Sequence, residues 1–237
     1  MIRILLALFI GTTGVPGAFG QAVVFGRAAD LDTGAPLAWV RVTLEAPDGA
    51  AAHAAWTDAA GRYALADIPT GRWRIRADHV SGTLRVSVLS PAFTLSEAVT
   101  MLNFELPSDP KEWLGAPDSS PFRTKNLGDI TGIPREGRIL DAAGHALPGV
   151  RSVVERLTMG FVRGLVMEAG RPVPEAVVRL GDAREAVTDT DGRFFLEAVP
   201  PGRYDLHVFR ENARLDATAV DIRPGENVFH LDLTRRP

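Results

Sequence analysis

"TDTDGRFFLEAVPPGRYDL", Thr188 to Leu206, decides how this chain folds, because it supports two readings. Its Asp189-Thr190-Asp191-Gly192 core resembles the start of a calcium loop, and the apolar alternation that follows is that of a hairpin. An upstream twin separates them. "TDAAGRYALADIPTGRWRI", Thr57 to Ile75, aligns with it without a gap at a constant offset of 131 residues. Thr, Asp, Gly, Arg, Leu, Pro, Gly and Arg recur in place, while Tyr63 and Trp73 become Phe194 and Tyr204. Asp191 does not recur, since Ala60 takes its place. A calcium ion needs about six to eight oxygens, usually closed by a bidentate acid, and Glu197 is separated from Asp189 by the apolar run Phe194 to Leu196. A turn needs less. Asp58 or Asp189 accepts backbone N–H groups, and Gly61 or Gly192 takes a positive φ before the next strand. The stretch reads as a strand-turn-strand unit, and its duplication as two homologous domains.

The flanks repeat as well. "APLAWVRVTL" (35–44) corresponds to "RPVPEAVVRL" (171–180), and "LNFEL" (102–106) to "FHLDL" (229–233). The period is that of strands: "GRWRIRA" places Trp73, Ile75 and Ala77 on one face and Arg72, Arg74 and Arg76 on the other. "NVFHLDL" likewise sets Phe229, Leu231 and Leu233 against Val228, His230 and Asp232. Turn residues recur at 30–34, 47–49, 69–71, 181–182 and 200–202, the punctuation of small antiparallel β-sandwiches. The expected organisation is an all-β chain with sandwiches over 21–107 and 160–237 and a partly structured connector over 108–159. Within the connector, Pro107 to Phe122 reads as irregular chain that packs through Trp113, Leu114 and Phe122. Residues 137–157, "GRILDAAGHALPGVRSVVERL", repeat the opening of the first copy at an offset of 110. They read either as a truncated third repeat supplying a strand pair or as a short helix over Val150 to Leu157.

The first twenty residues, "MIRILLALFIGTTGVPGAFG", carry a localisation signal. Arg3 is a positive n-region, Ile4 to Ile10 a short apolar stretch, and Ala18-Phe19-Gly20 a small-x-small cleavage site. Residues 1–20 are expected to be a secretory signal peptide, with an uncleaved N-terminal anchor as the alternative, since no charge occurs between Ile4 and Gly26. The chain of 237 residues contains no cysteine, which excludes disulfides, thiolate metal sites and a cysteine nucleophile. An exported protein without disulfides suits a bacterial envelope. A net charge of −3 gives no general attraction to nucleic acid or anionic lipid, so no nucleic-acid partner is expected.

With these residues in view the pattern resembles the carboxypeptidase regulatory-like domain, a transthyretin-like, Ig-like β-sandwich. Gly26, Gly34, Pro36, Leu37, Val40, Val42, Thr57, Asp58, Gly61, Tyr63, Leu65, Ile68, Pro69, Gly71, Trp73 and Ile75 carry the resemblance in the first copy. Gly164, Pro172, Val173, Val178, Thr188, Asp189, Gly192, Phe194, Leu196, Val199, Pro200, Gly202, Tyr204 and Leu206 carry it in the second. The resemblance implies a seven-stranded sandwich and a non-catalytic attachment in an exported protein. Fold does not itself specify a role.

The search for chemistry leaves little. His53, His79, His145, His207 and His230 show no ligand spacing, and neither a nucleophile elbow nor a phosphate loop occurs. Related sandwiches include hydroxyisourate hydrolases and intradiol dioxygenases. The first would call for a Tyr-Arg-Gly-Ser close, where this sequence reads "LDLTRRP", and the second for paired Tyr and His ligands. No catalytic, metal or cofactor-binding residue is expected, and no cofactor. Trp39 aligns with Glu175, which implies an exposed position, and together with Trp113 and Phe122 it is the candidate partner contact. The expected role is a non-catalytic interaction or scaffold protein of the bacterial envelope, periplasmic or on the outer surface, binding a protein partner. The alternatives are an accessory subunit docked on the periplasmic face of a membrane complex, a carbohydrate-binding module using Trp39 or Trp113, and an enzyme on this fold.

Overall fold

The computed structural model describes residues 21–96, 98–108, 136–182, 184–210 and 213–233, with 213–217 as backbone only. The expected signal segment 1–20 and the candidate contacts Trp113 and Phe122 lie outside the described residues.

In the first copy the strands are β1 (Gln21–Asp30), β2 (Arg41–Glu45), β3 (Ala51–Trp56), β4 (Arg62–Pro69), β5 (Gly71–Ser81), β6 (Leu84–Leu89), β7 (Phe93–Leu95), β8 (Val99–Met101) and β9 (Asn103–Leu106). The connector supplies β10 (Arg138–Leu140) and β11 (Arg151–Arg156). The second copy follows with β12 (Gly160–Glu168), β13 (Arg171–Pro172), β14 (Val177–Leu180), β15 (Arg184–Val187), β16 (Arg193–Val199), β17 (Gly202–Arg210), β18 (Ala213–Ile222) and β19 (Gly225–Asp232). The structure is all-β over the described residues. In the first copy one sheet runs β10-β9-β1-β4, with β8 also on β1, and faces a second sheet of order β11-β6-β5-β2-β3, with β7 also on β5. The second copy repeats the plan, β12 carrying β13, β16 and β19 opposite β15-β14-β17-β18.

The alternation legible in the sequence sets the core. Tyr63, Leu65 and Ile68 of β4, Trp73, Ile75 and Ala77 of β5 and Phe104 and Leu106 of β9 are buried in the first sandwich; Phe194, Leu196, Val199, Leu206 and Val208 fill the second. Each large apolar side chain so buried contributes about 2–3 kcal/mol. Three pairings depart from the antiparallel expectation, that of β8 with β1 and those of the two return strands. β9 runs parallel to β1 and β19 runs parallel to β12, because the chain passes through the opposite sheet before it returns to the strand it started from.

The connector resolves the choice between strand and helix. β11 pairs with β6 from Arg151↔Leu89 to Arg156↔Leu84, and β10 pairs with β9 from Arg138↔Glu105 to Leu140↔Asn103. No helix forms over Val150 to Leu157; the β-branched Val150, Val153 and Val154 favour the strand that the open edge of β6 accepts. The turn between β10 and β11 copies a repeat opening: Leu147 N–H donates to Ile139 C=O as Leu37 N–H donates to Ala28 C=O. Ile139 and Val154 enter the first core.

Candidate functional site

The duplicated turn is built the same way twice. Asp58 Oδ1 accepts the N–H groups of Ala60 and Arg62 at 2.9 and 2.8 Å, and Asp189 Oδ1 accepts those of Asp191 and Arg193 at 2.9 Å each. Gly61 and Gly192 both sit at φ +72°, each against the opposite strand's backbone. Burial pushes the Asp58 carboxyl up, but hydrogen bonds from the Arg62 side chain and from the Arg62 and Ala60 N–H groups, with the Arg62 charge, outweigh it and hold its pKa below the usual value. Asp191 turns to Arg193 at 3.1 Å. One carboxylate oxygen of Asp58 and one of Asp189 are thus engaged in closing their turns. Among the described residues no three His, Asp or Glu side chains gather in a metal-binding group.

The preceding threonine has an equally definite task. Thr57 Oγ1–H donates to Leu37 C=O at 2.6 Å and accepts Val40 N–H at 2.9 Å; Thr188 Oγ1–H donates to Val173 C=O at 2.7 Å and accepts Ala176 N–H at 2.8 Å. Both threonines are buried. The aromatic pair of the repeat is equally structural. Trp73 Nε1–H donates to Pro69 C=O and Tyr204 O–H to Pro200 C=O, each at 2.9 Å, so two different side chains close the same turn. Tyr63 O–H donates to Leu102 C=O at 2.7 Å, and burial pushes its phenol far above the ordinary range.

A concentration of aromatic and charged groups lies where the two sandwiches meet. Along β16, Phe194 and Leu196 point into the core, so Arg193, Phe195 and Glu197 point away from it. That outer face meets the start of β2 and the end of β3. Trp56 stacks on Phe195 with ring centroids 3.7 Å apart and planes 4° from parallel, and Phe161 lies 5.8 Å from Trp56. Trp39 takes the edge of Phe195 at 5.1 Å, while the guanidinium carbons of Arg163 and Arg193 each lie 5.3 Å from its ring centroid. Arg41 pairs with Glu197, and Arg193 donates to Thr57 C=O at 3.3 Å. A main-chain bond adds to these, Glu226 N–H donating to Gly82 C=O at 2.7 Å beside the Arg163–Glu226 pair. Next to the junction opens a cleft of about 510 Å³, bordered by Trp39, Asp58, Arg62, Met167, Asp191 and Arg193.

Both the repeated turns and the sheet plan point one way, and the sequence profile of the carboxypeptidase regulatory-like domain matches residues 23–107 and 160–234. The chain belongs to that family. No curated protein matches the sequence. Among solved structures, the 5-hydroxyisourate hydrolase of Klebsiella pneumoniae is 24% identical over 37% of this chain and 91% of its own, with a TM-score of 0.30. A streptococcal ancillary pilin is 13% identical over 92% of this chain and 63% of its own, with a TM-score of 0.26. The minor pilin of Streptococcus agalactiae is 11% identical over 91% and 97%, with a TM-score of 0.28.

Within the two carboxypeptidase regulatory-like domains the candidate contacts fall as follows. Trp39 is half-buried in the junction, which corrects the exposed position inferred from its alignment with Glu175; Glu175 is exposed, and both hold a positive φ, +64° and +57°. Sequence reasoning missed Arg41, Trp56, Phe161, Arg163, Phe195 and Glu197. One signal was present: Phe195 is a large apolar residue on the outward face of its strand, where the first carboxypeptidase regulatory-like domain has Ala64.

Proposed function

We propose that this is a non-catalytic exported interaction or scaffold protein of the bacterial envelope, which presents two coupled sandwiches to a protein partner. The observation that supports it is the use to which the fold puts its polar groups. The phenols of Tyr63 and Tyr204 and the carboxylates of Asp58 and Asp189 are engaged in turn closure and strand bridging, while aromatic stacking and ion pairs couple the domains. Such a body binds through preformed loops and edges with little ordering cost. The apolar N-terminal stretch with its small-x-small site and the absence of cysteine support export to an envelope compartment. Trp39, already in contact with two guanidinium groups and Phe195, is a poor sugar platform, which weighs against the carbohydrate reading.

The test is a mild-detergent pull-down of the tagged chain from the native envelope fraction, with N-terminal sequencing of the recovered bait. The expected result is a stoichiometric protein partner and a bait beginning at Gln21. Recovery of an unprocessed cytoplasmic chain, or of no partner from the envelope, overturns the reading.

A further inference from the structure

The junction between the two sandwiches joins unlike surfaces of like domains. The second domain offers the outer face of β12 and β16, and the first offers the start of β2 and the end of β3. Because the domains are copies, each surface has a counterpart that the junction leaves over, and strand register fixes the equivalences. Gly26 lies opposite Tyr63 as Gly164 lies opposite Phe194. Ala64 and Ala66 of the first domain therefore stand where the second has Phe195 and Glu197. Val177 lies opposite Val187 as Arg41 lies opposite Trp56, so these two valines stand where the first domain receives its neighbour.

Residues of both spare surfaces are exposed. On the first domain Ala64 and Ala66 are exposed, and Val99, which lies beside Val23 as Glu226 lies beside Phe161, is 58% exposed. On the second, Val187 is 61% exposed. Their chemistry matches position by position. Where the junction pairs Arg41 with Glu197, the spare surfaces have Val177 and Ala66, so both members of the ion pair turn apolar together. Where it stacks Trp56 on Phe195, they have Val187 and Ala64. Trp39 meets the guanidinium of Arg193. Its counterpart Glu175 is exposed at φ +57° against +64°, and the counterpart of Arg193 is Arg62, whose side chain is 73% exposed. A cation on an indole thus becomes a cation facing a carboxylate. Arg62 pairs with Asp58, as Arg193 pairs with Asp191 while still reaching across the junction.

We propose that a second copy of this chain docks head to tail, the outer face of β1 and β4 of its first sandwich seating on β14 and β15 of its neighbour's second sandwich. The contact repeats between chains the arrangement that joins the domains within one. Ala64 and Ala66 lie against Val187 and Val177, Val99 takes the place from which Glu226 meets the first domain, and Arg62 pairs with Glu175. An interface built from two different surfaces is heterologous, so it extends into a chain of copies or closes into a ring. The contact rests on the junction seen within the chain and not on the partner-binding reading above.

The test is sedimentation velocity of the full mature chain from low to high micromolar concentration, beside Ala64→Glu on one surface and Val187→Glu on the other. Both positions are exposed, and circular dichroism with thermal melts checks that each variant is folded. The wild type is expected to associate as its concentration rises. Each variant alone should associate about tenfold more weakly. An equimolar mixture of the two should restore a complex that stops at one-to-one, because each variant keeps the surface that the other lacks. The proposal is overturned if the wild type stays monomeric, if either variant alone associates as the wild type does, or if the mixture stays monomeric. A different protein recovered in the pull-down, without self-association, leaves the partner-binding reading standing and removes this contact. Self-association without any such protein does the reverse.

Discussion

The indole of Trp56 lies flat on the ring of Phe195, 3.7 Å between centroids and 4° from parallel, and so joins the edge of one sandwich to the outer face of the next. An aromatic pair of this kind is worth about 1 kcal/mol beyond its buried area. Phe195→Ala is expected to red-shift tryptophan emission and enlarge the solution radius of gyration, with each domain still folded by far-ultraviolet circular dichroism. An unchanged scattering profile and emission maximum would show that the stack does not couple the domains.

Thr57→Val keeps the shape of a buried side chain and removes the hydroxyl that joins Leu37 C=O to Val40 N–H. The buried Val40 N–H and the part-buried Leu37 C=O then lose their partner, which costs about 2–3 kcal/mol. Thr57→Ser should recover most of it. Urea midpoints of the three proteins decide the matter; a Val variant as stable as the wild type would remove the bridge from the account.

Gly26 stands where a Cβ would lie 1.8 Å from the carbonyl oxygen of Leu102. Gly26→Ala must push β1 away from the strand region it crosses, and is expected to cost more than about 3 kcal/mol. Gly34→Ala, at φ +67° with nothing within 4 Å, should cost only about 1 kcal/mol for backbone strain. The reverse order of the two thermal midpoints would be incompatible with this packing.

Acid should weaken the protein through His79. Burial lowers its pKa to about 4, with the positive charge of Arg163 acting in the same direction and Asp30 opposing. In the unfolded chain the imidazole takes its proton near pH 6.5. Above that pH both states are neutral and the residue contributes nothing to the slope. Between pH 6.5 and about 4 the unfolded state holds a proton that the folded state refuses, so stability falls across that window by up to about 3 kcal/mol. Guanidinium titrations of the wild type and His79→Gln over pH 7 to 4.5 should diverge, the variant losing less. Parallel curves would assign the acid response to other groups. Because Arg163 belongs to the second domain, the charged imidazole also opposes the junction.

The legible part of the fold was the part repeated within a strand or between copies. Alternation in Gly71 to Ala77 placed Trp73 and Ile75 in the core without any tertiary information, because a strand's period of two leaves one choice of face once one side is apolar. The repeat separated turn from metal site, since the first copy keeps the turn with Ala60 in place of Asp191. The threonine hydroxyl was visible as a repeated residue but not as a bridge, because its partners lie 17 and 20 residues away. For residues 137–157 the repeat suggested strands and local propensity left a helix open; the free edges of β6 and β9 made the choice.

By itself the sequence determined two carboxypeptidase regulatory-like sandwiches, their turns and their core faces, since those follow from period, glycine placement and duplication. It could not determine how the sandwiches meet. Arg62 and Arg193 occupy the same place in the repeat, yet Arg62 pairs with Asp58 and is mostly exposed, whereas Arg193 reaches Thr57 C=O and lies by Trp39. The same arginine of the repeat is put to different use because the outward face of β16 lies against β2 and β3. The face a strand turns away from its own core is free to pair with anything, and only the tertiary arrangement says with what.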